Sequence, residues 1–293
     1  MTIEEQAATV RRFNRAYTQR IGALEDLFLG TGLALGAARL LFEIGSEPGT
    51  VRALRARLGL DSGYTSRLLR QLEGEGLVEV VPDPADRRRR LAKLTAKGRR
   101  RWDVLEARSQ ARALALLDPL AERQRARLVA ALAEADLLVR AATVTIEDAH
   151  PASATAREAM GRYFAELGER FGFGARKLDA ADAAALQPPG GVFVLAVSDG
   201  GPVACGGLQT IEPGVAEIKR MWVHGPWRGA GLGSRLLRHL EDRARQLGHL
   251  TIRLDTNRAL TEAMAMYLGA GYRPIERYND NQYATHFFEK PLT

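Results

Sequence analysis

The run Arg228-Gly229-Ala230-Gly231-Leu232-Gly233-Ser234 is the stretch of this sequence best suited to holding phosphate. Residues 216–223 read as a strand leading into it. A helix leads out, with Leu232, Leu236, Leu237, Leu240, Ala244 and Leu247 at helical spacing and Gly248 as the stop. Glycines let the backbone come close to an anion. The first free N–H groups of the helix point at it, aided by the helix dipole. Arg228 adds a permanent positive charge for a second phosphate. The spacing R-x-x-G-x-G is neither the dinucleotide G-x-G-x-x-G nor a P-loop, which needs a Gly-Lys-Ser/Thr ending. The chain has 29 glycines, so a purely structural turn is the competing reading.

Other reactive side chains are sparse. Cys205, the single cysteine, sits among Val203, Ala204 and Leu208 and reads as a buried strand thiol rather than a nucleophile. One cysteine leaves no internal disulfide framework and fits a reducing, cytoplasmic compartment. The five histidines show no ligand spacing, so no metal is expected.

These groups must be carried by 293 residues, a length that suggests two domains, each able to bury its own core. Apolar content of 46% and charged content of 26% are ordinary for a globular protein. No apolar run is long enough to cross a bilayer, and the acidic start Met1-Thr2-Ile3-Glu4-Glu5 is unlike a signal peptide, so no membrane partner is expected. Residues 1–141 carry 25 Lys and Arg against 18 Asp and Glu, while residues 142–293 carry 17 of each. The whole net charge of +7 therefore belongs to the first part. A basic module joined to a neutral one suggests a polyanion-binding part with a different function behind it.

In the first part, residues 4–21 are amphipathic through Val10, Phe13, Tyr17 and Ile21, and residues 33–44 repeat the pattern. Residues 51–58 form a short helix, and Gly59-Leu60-Asp61 a turn. Asp61 or Ser62 can cap the next helix, which buries Leu68, Leu69 and Leu72. Two short helices joined by such a turn match a helix-turn-helix, with Ser62, Tyr64, Thr65 and Arg67 placed on the outward side to meet base edges. Strands at 77–81 and 91–94 flank a turn containing Asp83, Ala85, Asp86, Arg87, Arg88, Arg89 and Arg90. From Arg87 to Arg101 there are nine basic residues and no acidic one. A basic hairpin after a helix-turn-helix is a winged helix, its wing placed for phosphates or the minor groove.

The segments Ser66-Arg67-Leu68-Leu69, Leu72-Glu73, Gly76-Leu77-Val78, Asp86-Arg87-Arg88 and Leu94-Thr95-Ala96-Lys97-Gly98 resemble the MarR family over roughly residues 5–141. The resemblance implies a homodimer built from the outer helices, here 4–21, 99–116 and 119–141, with Pro119 at a helix start. Two recognition helices would then bind double-stranded DNA at a palindromic operator. A basic protein-interaction surface is the alternative.

In the second part, residues 142–146 alternate as a strand directly after the long helix. Helices are expected at 153–171 and 179–186, strands at 192–197 and 203–208 around Asp199-Gly200-Gly201, and a strand at 217–223. After the glycine run come a strand at 251–255, a helix at 260–268 and two final strands. With the R-x-x-G-x-G turn, this order resembles the GNAT acetyltransferases over residues 142–293. The expected fold is two domains: a mainly-α winged helix over 1–141, then an α+β GNAT fold with a mixed, mostly antiparallel sheet over 142–293.

That resemblance implies acetyl-CoA as cosubstrate, its pyrophosphate on the Arg228–Ser234 turn, its pantetheine arm on the backbone of Met221, Trp222 and Val223, and an amide contact from Asn257. It also matches Tyr267 to the tyrosine that protonates the departing thiolate; a core aromatic is the competing reading. Acetyl-CoA brings an activated thioester, so no nucleophilic side chain is needed. The amine must lose a proton, and the oxyanion needs a donor. Glu217 is the base candidate, directly or through water, with a structural or substrate-binding carboxylate as the other reading. His224 is a further base candidate or a loop residue. Lys219 and Arg220 suggest an acceptor bearing a carboxylate, and Tyr278 to Ala284 either line an acceptor pocket or form a strand turn. The expected function is a transcriptional regulator that acetylates a small amine or amino acid. The alternatives are an acetyl-CoA or metabolite sensor without turnover, and a protein-lysine acetyltransferase.

Overall fold

The computed structural model describes residues 1–84, 86–172, 179–198 and 200–292; Ala85 of the expected wing turn and Asp199 of the expected hairpin turn lie outside the described residues. The chain divides into two compact units, Met1–Ala130 and Ala131–Thr293.

The first unit begins with α1 (Ile3–Arg20), started by a capping box in which Thr2 and Glu5 satisfy each other's free backbone donors. Helix α2 (Leu35–Ser46) supplies Ala37, Leu40, Leu41 and Ile44 to the core. A two-residue strand β1 (Gly49–Thr50), not anticipated from the sequence, leads into α3 (Val51–Leu58). Gly59 closes α3 at φ 62°, and Asp61 caps α4 (Ser62–Gly74) by accepting from the Tyr64 N–H at 2.8 Å. Strands β2 (Val78–Pro82) and β3 (Arg90–Leu94) pair antiparallel, and β1 adds to the far edge of β3. Leu33, Leu54, Leu68, Leu72, Leu77 and Leu105 pack with α2 into one core. Thr95 caps α5 (Ala96–Leu117), and its Gly98 lies so close to the β2 entry that an added Cβ would sit 1.8 Å from the Leu77 carbonyl oxygen.

Helix α6 (Glu122–Thr143) starts three residues after the expected Pro119 and runs past the expected boundary at 141/142. The division at Ala130 and Ala131 falls inside it. Its last turns belong to the second unit's core, where Leu137, Ala141 and Val144 pack. The Arg235 guanidinium donates to the carbonyls of Ala141 and Val144, fixing that end. The strand expected at 142–146 is therefore helix as far as Thr143, and β4 is Ile146–Asp148.

The rest of the second unit is α7 (Ala154–Phe171), α8 (Ala180–Ala185), β5 (Gly191–Ser198), β6 (Gly201–Glu212), β7 (Val215–Val223), α9 (Leu232–Gln246), β8 (Thr251–Thr256), α10 (Thr261–Gly269), β9 (Arg273–Ile275) and β10 (His286–Pro291). The strands form one sheet in the order β4-β5-β6-β7-β8-β10-β9. Among the described residues only β7 and β8 pair parallel. Successive side chains of β5 bury on opposite faces: Val192, Val194 and Ala196 share a core with α9, whereas Phe193 and Leu195 share one with α7. One feature of this sheet sets up the site. Strands β7 and β8 are paired from Val215–Thr251 to Ile218–Leu254 and no further. The β6–β7 ladder shifts register near Cys205 and Gly207, and Arg220 adopts a left-handed φ of 55°. The two central strands thus splay beyond Ile218.

Candidate functional site

A groove of about 570 Å³ opens along the free end of β7. Met221, Trp222 and Val223 line one side, and Arg228, Gly229, Gly231, Gly233 and Ser234 its floor. Gly231 is the N-cap of α9 at φ 78°, and among the described residues no side chain caps this helix, so its first N–H groups face the groove. A Cβ on Gly233 would come within 3.3 Å of Met266 Sδ. Ala230 and Leu232, expected in the cradle, turn toward the core instead: Leu232 is buried among the α9 leucines and Ala230 packs against them. Neither lines the groove. An uncapped helix start, a cleared glycine floor and two nearby arginines fit a pyrophosphate.

Arg228 is not an open cation. Its guanidinium donates to both oxygens of Glu166 on α7, at 2.5 and 2.6 Å, and its Nε donates to the Val223 carbonyl at 3.0 Å. Glu166 also accepts from Trp222 Nε1 at 2.9 Å and pairs with Arg170 at 2.8 Å. Burial alone would raise the Glu166 carboxyl, but hydrogen bonds from Arg228 and Trp222 and the charges of both arginines hold it below its ordinary value. Two arginines and one carboxylate leave this part of the groove with a surplus positive charge.

A second cavity of about 150 Å³ fills the splay, lined by Lys219, Arg220, Met221, Leu254 and Asp255 of the two strands and by Asn257, Asn281, Tyr283 and Ala284. Tyr163 and Tyr267 border both spaces. The Tyr267 ring is buried against Tyr272 and Phe288, and its hydroxyl meets only Met221 Sδ, at 3.9 Å, among the described residues. Burial, with the charges of Tyr163 and Asp255 adding, pushes its phenol well above the ordinary value, so it carries its proton at neutral pH.

Glu217 lines neither space. It is 2% exposed. Its Oε1 accepts from Tyr278 Oη at 2.8 Å and Asn279 Nδ2 at 3.0 Å, and its Oε2 from Gln209 Nε2 at 2.8 Å, with Lys219 Nζ at 3.1 Å. With four partners taken, the carboxylate anchors the 278–281 segment rather than facing an acceptor. Lys219 and Arg220, expected to greet a ligand carboxylate, are likewise engaged, Lys219 by Glu217 and Arg220 by Asp182. The Asn257 amide donates to the Tyr283 carbonyl at 2.7 Å and its oxygen accepts from the Ala259 N–H at 3.0 Å, which closes a loop at the small cavity instead of the large groove. His224 lies beside Trp222, the two rings tilted by 34°, and lines neither space; burial, Arg162 and Arg228 hold it below its ordinary value.

In the first unit, Ser62 and Arg67 of α4 are exposed, as are Arg87, Arg88 and Arg89 at the tip between β2 and β3. Thr65 is 1% exposed and its hydroxyl donates to the Asp61 carbonyl at 2.8 Å, so it belongs to the core and cannot reach a base. Tyr64 is half-buried against the same core, with the Arg67 guanidinium 5.6 Å from its ring centroid. The outward face holds Ser66 and Arg70 as well, which the sequence reading did not single out. At the wing, Asp86 accepts from the Arg88 side chain and N–H and sits 3.4 Å from Arg89; those hydrogen bonds hold it below its ordinary value.

Residues 156–272 match the acetyltransferase (GNAT) family, and residues 31–89 the MarR family. The chain is 32% identical over 139 residues to an IAA acetyltransferase from Azospirillum brasilense, spanning 46% of this chain and 87% of that protein. The chain belongs to the GNAT acetyltransferase family. It is also 30% identical over 96 residues to an uncharacterized N-acetyltransferase from Schizosaccharomyces pombe, spanning 32% of this chain and 59% of that one. An acetyltransferase of the GNAT family from Staphylococcus aureus is similar in structure, with a TM-score of 0.44 at 19% identity, covering 52% of this chain and all of that one.

Within this GNAT acetyltransferase, then, Met221, Trp222, Val223, Arg228, Gly229, Gly231, Gly233, Ser234 and Tyr267 line one groove. Glu217 and Asn257 stand outside it. The groove also brings in Tyr163, Glu166 and Arg170, spaced three and four residues apart on one face of α7. That spacing was the one available signal for them.

Proposed function

We propose that this GNAT acetyltransferase passes the acetyl group of acetyl-CoA directly to a small amine or amino acid. The observation that carries the reading is Tyr267, a buried, protonated phenol at the junction of a long groove and a small cavity. The α9 N–H groups and the glycine floor suit the pyrophosphate, the edge of Met221–Val223 that β8 leaves unpaired suits the amides of the pantetheine arm, and a strand N–H near Val223 serves the oxyanion. Tyr267 then hands its proton to the thiolate as the carbon–sulfur bond breaks. Glu217 acts here as an anchor, not the base. The test is acceptor-dependent release of CoA thiol across a panel of amines and amino acids. Saturable acetyl-CoA binding with no release from any acceptor overturns it in favour of a sensor.

We further propose that the MarR region binds double-stranded DNA as a homodimer in the cytoplasm. Ser62, Ser66, Arg67 and Arg70 present a polar helix face, and the exposed wing arginines suit phosphates. Helix α1 buries none of its residues and leaves Val10, Phe13 and Tyr17 exposed along one side, which suits a second copy and hence a palindromic operator. No helix of the described residues is long and apolar enough to cross a membrane. Gel shifts on genomic fragments at several salt concentrations test this; no specific fragment at low salt counts against it.

A further inference from the structure

We infer that Asp255 receives the acceptor's ammonium, and that the acceptor is a compact primary amine for which a carboxylate is dispensable. The inference rests on the acetyl-transfer reading above and names its substrate class. It comes from the charges that line the small cavity. Among the described residues, Lys219, Arg220 and Asp255 are the charged ones there. The Arg220 guanidinium is taken by Asp182 of α8 and lies over the Phe164 ring at 5.3 Å. Lys219 Nζ is held by Glu217 at 3.1 Å and reaches Asp255 only at 4.0 Å. The close donors to Asp255 are neutral amides, Asn279 Nδ2 at 2.6 Å and Asn281 Nδ2 at 3.0 Å.

Among the described residues, two cations thus face three carboxylates, and Asp255 is the carboxylate without a close cation of its own. A half-buried carboxylate solvated by amides calls for a positive partner. A ligand carboxylate would instead meet cations already paired by Glu217 and Asp182. Position agrees with charge. Asp255 follows Leu254, the last residue of β8 paired with β7, so it stands where the strands part. Tyr267 borders the same cavity. A space of about 150 Å³ matches one known to hold a benzene ring, which limits the acceptor to a short chain or a single ring.

The proton count is simple. The ammonium on Asp255 gives one proton to that carboxylate and thence to solvent. The amine nitrogen bonds the thioester carbon, the nitrogen loses a second proton, and the carbon–sulfur bond breaks as the sulfur takes the Tyr267 proton. The second proton restores the phenol, leaving one amide, one thiol and one proton released. Glu217, which shares Asn279 and Lys219 with Asp255, is a positioning residue.

The test is kinetics of the full chain with acetyl-CoA and matched pairs of acceptors, phenethylamine against phenylalanine and a butylamine against norvaline, with spermidine as a polycation. The native protein needs no variant for the first reading. Each simple amine should match or exceed its amino-acid partner in kcat/KM. A preference above tenfold for the amino acids overturns the inference while leaving acetyl transfer intact. Failure of every acceptor overturns both. Asp255→Asn should raise the amine KM at least tenfold, with the acetyl-CoA KM within twofold. Asp255→Glu should recover part of the loss, which a purely structural role would not. An unchanged amine KM in a folded Asp255→Asn protein also overturns it.

Discussion

Replacing Tyr267 by Phe separates catalysis from packing. The ring keeps its contacts with Tyr272 and Phe288, at centroid distances of 5.9 and 6.1 Å, because Phe has the same shape. The hydroxyl loses a single weak partner, Met221 Sδ at 3.9 Å. A buried hydroxyl without a good acceptor costs about 1–3 kcal/mol, of which sulfur returns a part. Removing it should leave stability unchanged or raise it by about 1 kcal/mol, a Tm rise of roughly 2–4 °C for a domain of this size. Loss of a general acid costs a factor of about 100 at the low end, or about 2.7 kcal/mol in the barrier. The assay is CoA thiol release at saturating acceptor, run beside a thermal melt. The expected result is a kcat about 100-fold lower, an unchanged acetyl-CoA KM and an equal or higher Tm. A kcat within threefold of native, or a loss accompanied by a Tm drop of several degrees, refutes the assignment and makes Tyr267 a packing residue.

Because burial lifts the Tyr267 phenol, its acid form persists into alkaline solution; kcat should not fall between pH 7 and about 9.5, and a steady decline there contradicts the assignment. The lowered Glu166 carboxyl contributes stability above its ordinary 4.5 that is lost as pH falls through its folded value, so Glu166→Gln should shrink the acid-side loss in pH-dependent melts. Gly231→Ala meets no atom but is held at φ 78°, so it should cost about 1–2 kcal/mol and weaken acetyl-CoA binding measured by calorimetry. Arg88→Ala should lower the salt slope of DNA binding by about 1 and Arg67→Ala should relax site preference in footprinting, whereas Thr65→Val should cost about 1 kcal/mol of stability without changing that preference.

Features set by neighbours in the chain were legible in the sequence. The glycine turn, the cap at Asp61 and the wing arginines all depend on residues a few positions apart. Thr65 was legible too: it lies three and four residues before Leu68 and Leu69, on the face that α4 buries, and helical spacing should have removed it from the reading set. The pairing of Arg228 with Glu166 joins residues 62 apart, and that of Glu217 with Tyr278 joins residues 61 apart. No periodicity reports such contacts. The same holds for Asp255, whose meaning depends on which cations its neighbours had already claimed.

Helix α6 bears on how the catalytic half can be excised. A fragment beginning at 142, where composition and pattern suggest a cut, would leave Arg235 without the Ala141 carbonyl and Trp227 without the Arg140 guanidinium, 4.9 Å from its ring. It would also strip Leu137 and Ala141 from the core beside α9, whose first turn forms the cradle. A fragment beginning at 131 keeps all of these groups. The useful seam for protein engineering therefore lies in the middle of a helix rather than at its last turn.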